Sequence, residues 1–341
     1  MSHPYSDLPE RAYWRAAVGG RHYADLKDLA EPIPVPEGAQ IATAGSCFAQ
    51  HIGRHLRLRG QGYLDMEPAP DFLTEAEARQ NGYGLFTCRY GNVYTARQLL
   101  QLTQEAMGLR QPLDIVWPLG QRHVDALRPS VDPVGHAQAA DVLALRAMHL
   151  RAVLDMLKTL DVMVFTLGLT EAWRDRRDGT VYPTAPGTVA GVYDPQIHEF
   201  VNFSYADVLA DLTEFRKLLH SINPRGQMIL TVSPVPLAAT ASGGHVLVAT
   251  GQSKATLRAV AGDLARSHED IFYFPSYEII SSHPARGMFF EPDLRNVNDF
   301  GVSLVMQHFF GALGAQPGVV NDTSAPDTPI CDESRLDVSA L

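Results

Sequence analysis

"IATAGSCFAQHIGRHL", residues 41–56, sets an apolar run, Ile41 to Ala44, against a Gly-Ser-Cys turn and then against a segment with helical spacing. The run reads as a core strand, and Phe48, Ile52 and Leu56, spaced i, i+4, i+8, read as the stripe of a helix packed on a sheet. The serine between them has two readings. Ligands of open α/β sheets bind beyond the carboxyl ends of strands, where helix N-termini aim N–H groups at negative charge, so Ser46 can attack an acyl carbon while its own N–H helps hold the oxyanion. Equally, serine is a preferred helix cap. Cys47 competes as a nucleophile, although cysteine is most often simply buried.

Working outward, three further apolar runs, 161–168, 226–234 and 270–277, are short, continuous and bounded by turn residues, as strands buried on both faces are. Amphipathic helices lie between them: "YADVLADLTEFRKLLHSIN" has Val208, Leu209, Leu212, Phe215, Leu218 and Leu219 on one face, and "SKATLRAVAGDLARSH" is built alike. Strand and helix alternate, which predicts a doubly wound α/β fold with a parallel sheet. Residues 60–160 carry helical periodicity and read as a mostly helical insertion in one domain, 39–315, closed by the helix of "DFGVSLVMQHFFGAL". Residues 1–38, ending in "EPIPVPEGAQ", read as an extended arm, and 316–341 as a flexible polar tail.

The formal net charge is -10, from 28 Lys+Arg against 38 Asp+Glu, with no basic run, which argues against nucleic acid as a partner. Three cysteines, Cys47, Cys88 and Cys331, make no CxxC pair and no even framework, so neither a disulfide nor a cysteine metal site is expected. The N-terminus is polar where a signal peptide carries its apolar core, and no apolar stretch reaches transmembrane length; the expectation is a cytoplasmic protein. No motif calls for a cofactor.

"GSCFAQHI", "RYGNVYTARQLLQL" (89–102), "TLGLTEAW" (166–173), "PTAPG" (183–187), "TVSPVP" (231–236), "SKATLRAVA" (253–261) and "YFPSYEI" (273–279) together resemble the GSCFA family, from about Ala42 to Phe310. That family is similar to the SGNH (GDSL-like) hydrolases. The resemblance implies a flavodoxin-like α/β/α sandwich, ester chemistry, frequently on acylated carbohydrates, and Ser46 as the match to the SGNH nucleophile. It also implies further oxyanion or substrate-binding donors, for which Gly91 with Asn92 and Gly168 with Thr170 are the candidates; the asparagine of the third SGNH block is absent. Thr170 reads equally as the cap of a helix after the strand.

SGNH enzymes carry Asp-x-x-His near the C-terminal end, and here the register reads Asp293-Leu294-Arg295-Asn296. Asparagine accepts no proton at neutral pH, so another group must be the base or the protein is not a serine hydrolase of the usual kind. His283, in a loop after the last strand and ahead of Asp293, is the substitute by sequence, with His198 in reserve. His51 and His55 have the spacing of two ligands on one helix face but no third, so no metal is expected. Arg286 and Arg295 flank the proposed base and suit an acidic substrate group or a structural ion pair. "PTAPG" and "SPVPL" (233–237) read as pocket-lining loops or rigid connections. The sequence therefore predicts a serine esterase or O-acyltransferase acting on a small-molecule or saccharide ester, with a ligand-binding protein on the same scaffold as the alternative.

Overall fold

The computed structural model describes residues 3–26, 28–314, 329–333 and 335–336. In chain order its elements are β1 (Ile41–Gly45), α1 (Ala49–Leu58), α2 (Glu75–Gln80), α3 (Ala96–Ala106), β2 (Val116–Leu119), β3 (Arg122–Asp125), α4 (Ala139–Thr159), β4 (Val162–Leu167), β5 (Glu171–Asp175), β6 (Val181–Tyr182), β7 (His198–Asn202), α5 (Tyr205–Ile222), β8 (Gln227–Val232), α6 (Val246–Ser267), β9 (Ile271–Phe274), α7 (Ser276–Ser281) and α8 (Asp299–Ala312).

β1, β4, β8 and β9 form a parallel sheet in that order. Tyr63 adds a parallel bridge to Ile41 on the free side of β1. With that bridge standing in for a second strand, the spatial order is the 2-1-3-4-5 of flavodoxin-like folds, whose switch point lies between the first and third strands. Here that is the crevice beyond the carboxyl ends of β1 and β4.

Alternation within each strand explains why the sheet is covered twice. Met163 and Phe165 of β4 face a core shared with α4, α5 and α6, through Met156, Phe215 and Leu257. Val162 and Val164 face a second core with α1, α7 and α8, through Ile52, Ile280 and Phe309. Side chains on a strand point alternately to the two faces, so a strand apolar at every position needs helices on both. The apolar runs read from sequence are all strands: the first extends to Gly45, and the other three are trimmed at their ends.

The helices of 60–160 are α2, α3 and α4, interrupted by the antiparallel hairpin of β2 and β3. α4 is the crossover into β4. Following β4, the chain turns into β5, which pairs with β6 and β7 in a small antiparallel sheet; Thr170 therefore precedes a strand and not the helix it was expected to cap. The N-terminal arm is extended only near its end, over 31–36: Glu10–Ala12 and Tyr23–Asp25 are 3-10 turns and Arg15–Gly19 a π turn. No helix among the described residues is long and apolar enough to cross a membrane. Of the expected flexible tail, 316–328 lies outside the described residues, whereas residues 330–333 are hydrogen-bonded against the sheet's carboxyl edge.

Candidate active site

The turn after β1 begins at Gly45, whose φ of +143° suits glycine; a Cβ there would meet the Thr166 carbonyl oxygen of β4 at 2.5 Å. This close approach lays Ser46 on the end of β4. Ser46 N donates to Thr166 O at 3.2 Å, and Val93 N donates to Gly45 O at 2.9 Å, bringing "RYGNVY" beside the turn. Since its N–H continues the sheet, Ser46 cannot offer it to an oxyanion, contrary to the expectation from sequence. The N–H groups of Cys47 and Phe48, the next two along, have no hydrogen-bond partner among the described residues.

Nor is Ser46 a cap. Phe48 holds the N-cap position of α1 without a side-chain bond. Ser46 is 3% exposed, and its Oγ has no partner among the described residues. An unpaired buried hydroxyl costs about 1–3 kcal/mol, which calls for a reason. The Oγ atoms of Thr43, Thr166 and Thr170 share that condition, but Thr43 and Thr166 sit inside strands while Ser46 and Thr170 stand at the crevice.

Gly168 closes the other wall. A Cβ on it would fall 3.0 Å from Ser46 Cβ and 3.1 Å from Tyr94 O, so only glycine lets the β4 end pack against the serine. Gly168 N and Leu169 N both donate to Tyr94 O at 3.0 Å, which removes the Gly168 N–H from the set of oxyanion donors. Thr170 N donates to Ser253 Oγ at 3.0 Å.

The group the sequence reading overlooked is Lys254. It lies on α6, 1% exposed, and its Nζ donates to Gly168 O at 2.8 Å. Burial pulls its pKa down to about 8, with Arg295 adding to the fall and Glu333 and Cys47 opposing it. Its signal was present: Lys254 stands on the stripe of Leu257, Val260, Ala261 and Leu264, which α6 buries. A lysine on an apolar stripe is a lysine brought inside.

The other predicted residues lie apart. The His283 ring is exposed and edge-on to Trp14 at 5.9 Å. Asp293 accepts from Arg295 N and Asn296 N, both at 2.9 Å, and from Asn296 Nδ2, closing its own turn. No hydrogen bond among the described residues links His283 to Asp293 or to Ser46. His198 Nδ1 accepts from Asp194 N. His51 packs edge-on to Phe48, and burial drops its pKa to about 3. Arg286 is exposed, with a φ of 48°.

Asn92, by contrast, is 5% exposed and near the serine turn, two residues before Tyr94, with Gly91 turning the chain at φ +66°. Its Nδ2 donates to Asp332 Oδ2 at 2.8 Å and to Ile330 O at 3.0 Å. Gln50 of α1 brackets the same segment: its Nε2 donates to Ile330 O at 2.8 Å and its Oε1 accepts from Ile330 N at 3.0 Å. Asp332 N donates to Tyr94 Oη, and Arg295 Nη2 donates to Glu333 Oε2 at 3.0 Å. Burial pushes the Glu333 carboxyl up to about 8, against the pull of Arg295 and Lys254.

Beside these groups lies a cleft of ≈ 230 Å³ lined by Leu169, Glu171, Trp173, Pro183, Thr184 and Leu237 and bounded by Asp332, Glu333 and Leu336. Both loops singled out in the sequence thus contribute to its wall.

The GSCFA family model matches residues 40–309. Among solved structures the chain is similar to a GDSL-like lipase from Parabacteroides merdae, at 16% identity over 51% of this chain and 68% of that one, with a TM-score of 0.28. It is also similar to a carbohydrate esterase family 3 protein from Talaromyces cellulolyticus, at 15% identity over 67% of this chain and 93% of that one, with a TM-score of 0.29. Likenesses at such scores carry no inference about chemistry. No curated protein matches the chain.

Proposed function

This chain belongs to the GSCFA family, and from that premise we propose that it is an ester hydrolase or O-acyltransferase whose nucleophile is Ser46 and whose proton acceptor is Lys254. The observation that carries the reading is the unpartnered Ser46 Oγ at the switch point, sharing Gly168 with a buried lysine.

In the first step Ser46 Oγ attacks the acyl carbon while its proton passes to neutral Lys254 Nζ. The oxygen that becomes negative is held by the N–H groups of Cys47 and Phe48, at the positive end of α1. Lys254 then returns the proton to the leaving alkoxide, and the acyl group stays on Ser46. Water or an acceptor hydroxyl, deprotonated by Lys254 in turn, releases it. Asn92 is the amide a substrate would engage once Asp332 withdraws, and the adjoining cleft, with Trp173 and Glu171, suits a polar, ring-bearing alcohol such as a saccharide.

One observation favours a second reading, a binding protein without turnover: Asn296, which the resemblance to SGNH enzymes puts in the register of their histidine, closes the Asp293 turn. Assays of reduced protein with an acetylated sugar and an activated acetyl ester separate the two. Wild type turns over, Ser46→Ala does not, Lys254→Met loses 10²- to 10⁴-fold, and His283→Ala is unchanged. Saccharide binding without turnover in wild type would give the binding reading instead, and a large loss in His283→Ala would restore the histidine.

A further inference from the structure

The cleft beside the serine turn has a one-sided charge. Glu171 and Asp332 border it, 8% and 5% exposed, and neither has an ion-pair partner among the described residues. Neutral donors alone hold them: Thr240 Oγ1 donates to Glu171 Oε1 at 2.8 Å, and Asp332 accepts from Asn92 Nδ2, from Tyr94 Oη at 3.2 Å and from Ser130 Oγ. Glu333, the third carboxylate on the cleft, is paired with Arg295 at 3.0 Å. No lysine, arginine or histidine stands among the described residues that line the cleft. Carboxylates taken out of water are normally matched by a cation, so two that lack one, on one cleft, leave a place for it.

A second feature faces the same space. Trp173 of β5 stands opposite Tyr182 of β6 and Phe200 of β7, a row of three aromatic rings across the small sheet, and all three border the cleft. Residues paired across strands project from one face, as do positions two apart along a strand, which sets Glu171 on the face of that row. Aromatic faces attract cations and cover the apolar side of a bound ring. Thr184 Oγ1, on the same cleft wall, is buried without a hydrogen-bond partner among the described residues.

We propose that the alcohol half of the ester is an amino sugar, its ammonium held by Glu171 and Asp332 and its ring laid against the row of Trp173. The inference rests on the reading of this cleft as the seat of that alcohol. An ammonium there offers Asp332 a charged partner in exchange for Asn92, and a charge-assisted hydrogen bond is the stronger of the two. The Asn92 amide is thereby freed for the ester. A neutral sugar of the same shape leaves both carboxylates without a cation.

The test is titration calorimetry of the full-length protein with glucosamine, glucose and N-acetylglucosamine, at a pH where the amine of the first is protonated. Glucosamine should bind at least tenfold tighter than either neutral sugar. That preference should fall at least tenfold in Glu171→Gln, with glucose binding unaffected; Asp332→Asn repeats the comparison should the glutamine disturb Thr240. Equal affinity for the three sugars, no binding of any of them, or a preference that survives in both variants would each overturn the proposal. Turnover of an activated acetyl ester, read in parallel, keeps the two readings apart. If the ester is not turned over while glucosamine keeps its preference, the esterase reading fails and the ammonium site stands; turnover with all three sugars bound alike gives the reverse.

Discussion

Ser46 and Lys254 are each costly to stability, and their costs point the same way. A hydroxyl buried without a partner and an ammonium buried on one carbonyl are both tolerated where chemistry needs them. Lowering a lysine from 10.5 to about 8 corresponds to roughly 3 kcal/mol of disfavoured charge. Because the folded pKa lies below the unfolded one, stability is greatest above about pH 10 and falls as pH drops through about 8. Lys254→Met should therefore raise the unfolding free energy at pH 7 by about 1–3 kcal/mol, measured by urea denaturation, while turnover collapses. A destabilised Lys254→Met would show the ammonium to be a structural asset. The place of Ser46 between a strand and a helix was legible in sequence because strand, turn and helix announce themselves by period within sixteen letters. Lys254 was not singled out, since a lone lysine in a helix reads as solvated until its place on the stripe is weighed.

Among elements, the junction of β1 with β4 is the tightest constraint. Gly45→Ala drives a Cβ to 2.5 Å from a backbone oxygen and Gly168→Ala one to 3.0 Å from Ser46 Cβ. The first should cost at least about 2 kcal/mol by thermal unfolding; the second should lower turnover more than stability, because it displaces the serine. A Gly168→Ala enzyme with unchanged kcat would place the reacting serine elsewhere. Farther out, Arg146 of α4 bonds both Asp125 oxygens of β3 at 3.0 Å and pairs with Glu105 of α3, fixing the hairpin. Against burial, Arg146 and Arg128 hold Asp125 down to about 2, so that pairing persists above pH 4 and is lost as pH falls through about 2. Removing the arginine takes the ion-pair partner of buried Glu105 and leaves Asp125 to Arg128 alone, and Arg146→Met should destabilise by about 3–5 kcal/mol at pH 7. The long apolar strands and capped helices were readable from pattern. The small sheet of β5, β6 and β7 was not, because strands such as Glu171–Asp175 and His198–Asn202 mix charges with aromatics and gain their partners only in three dimensions.

At the scale of the molecule, the doubly wound class was implicit in the alternation of elements, and the observed strand order brings the candidate site together: four segments distant in sequence, after β1, before α3, after β4 and on α6, meet at one switch point. The proposed base could not be read by register, because Lys254 reaches the crevice from a helix between strands rather than from the C-terminal turn that carries Asn296 and His283. The C-terminal segment was unreadable for the same reason, its partners being single side chains spread from Gln50 to Arg295. The most direct measurement of the central claim is the pH dependence of fluorophosphonate labelling of the reduced protein, followed by intact mass with the adduct mapped. One adduct on Ser46 is predicted, forming at a rate that rises with pH through about 8 as Lys254 becomes neutral, and losing that rise in Lys254→Met. An adduct on Cys47, no adduct at all, or a rise unchanged in Lys254→Met would contradict it.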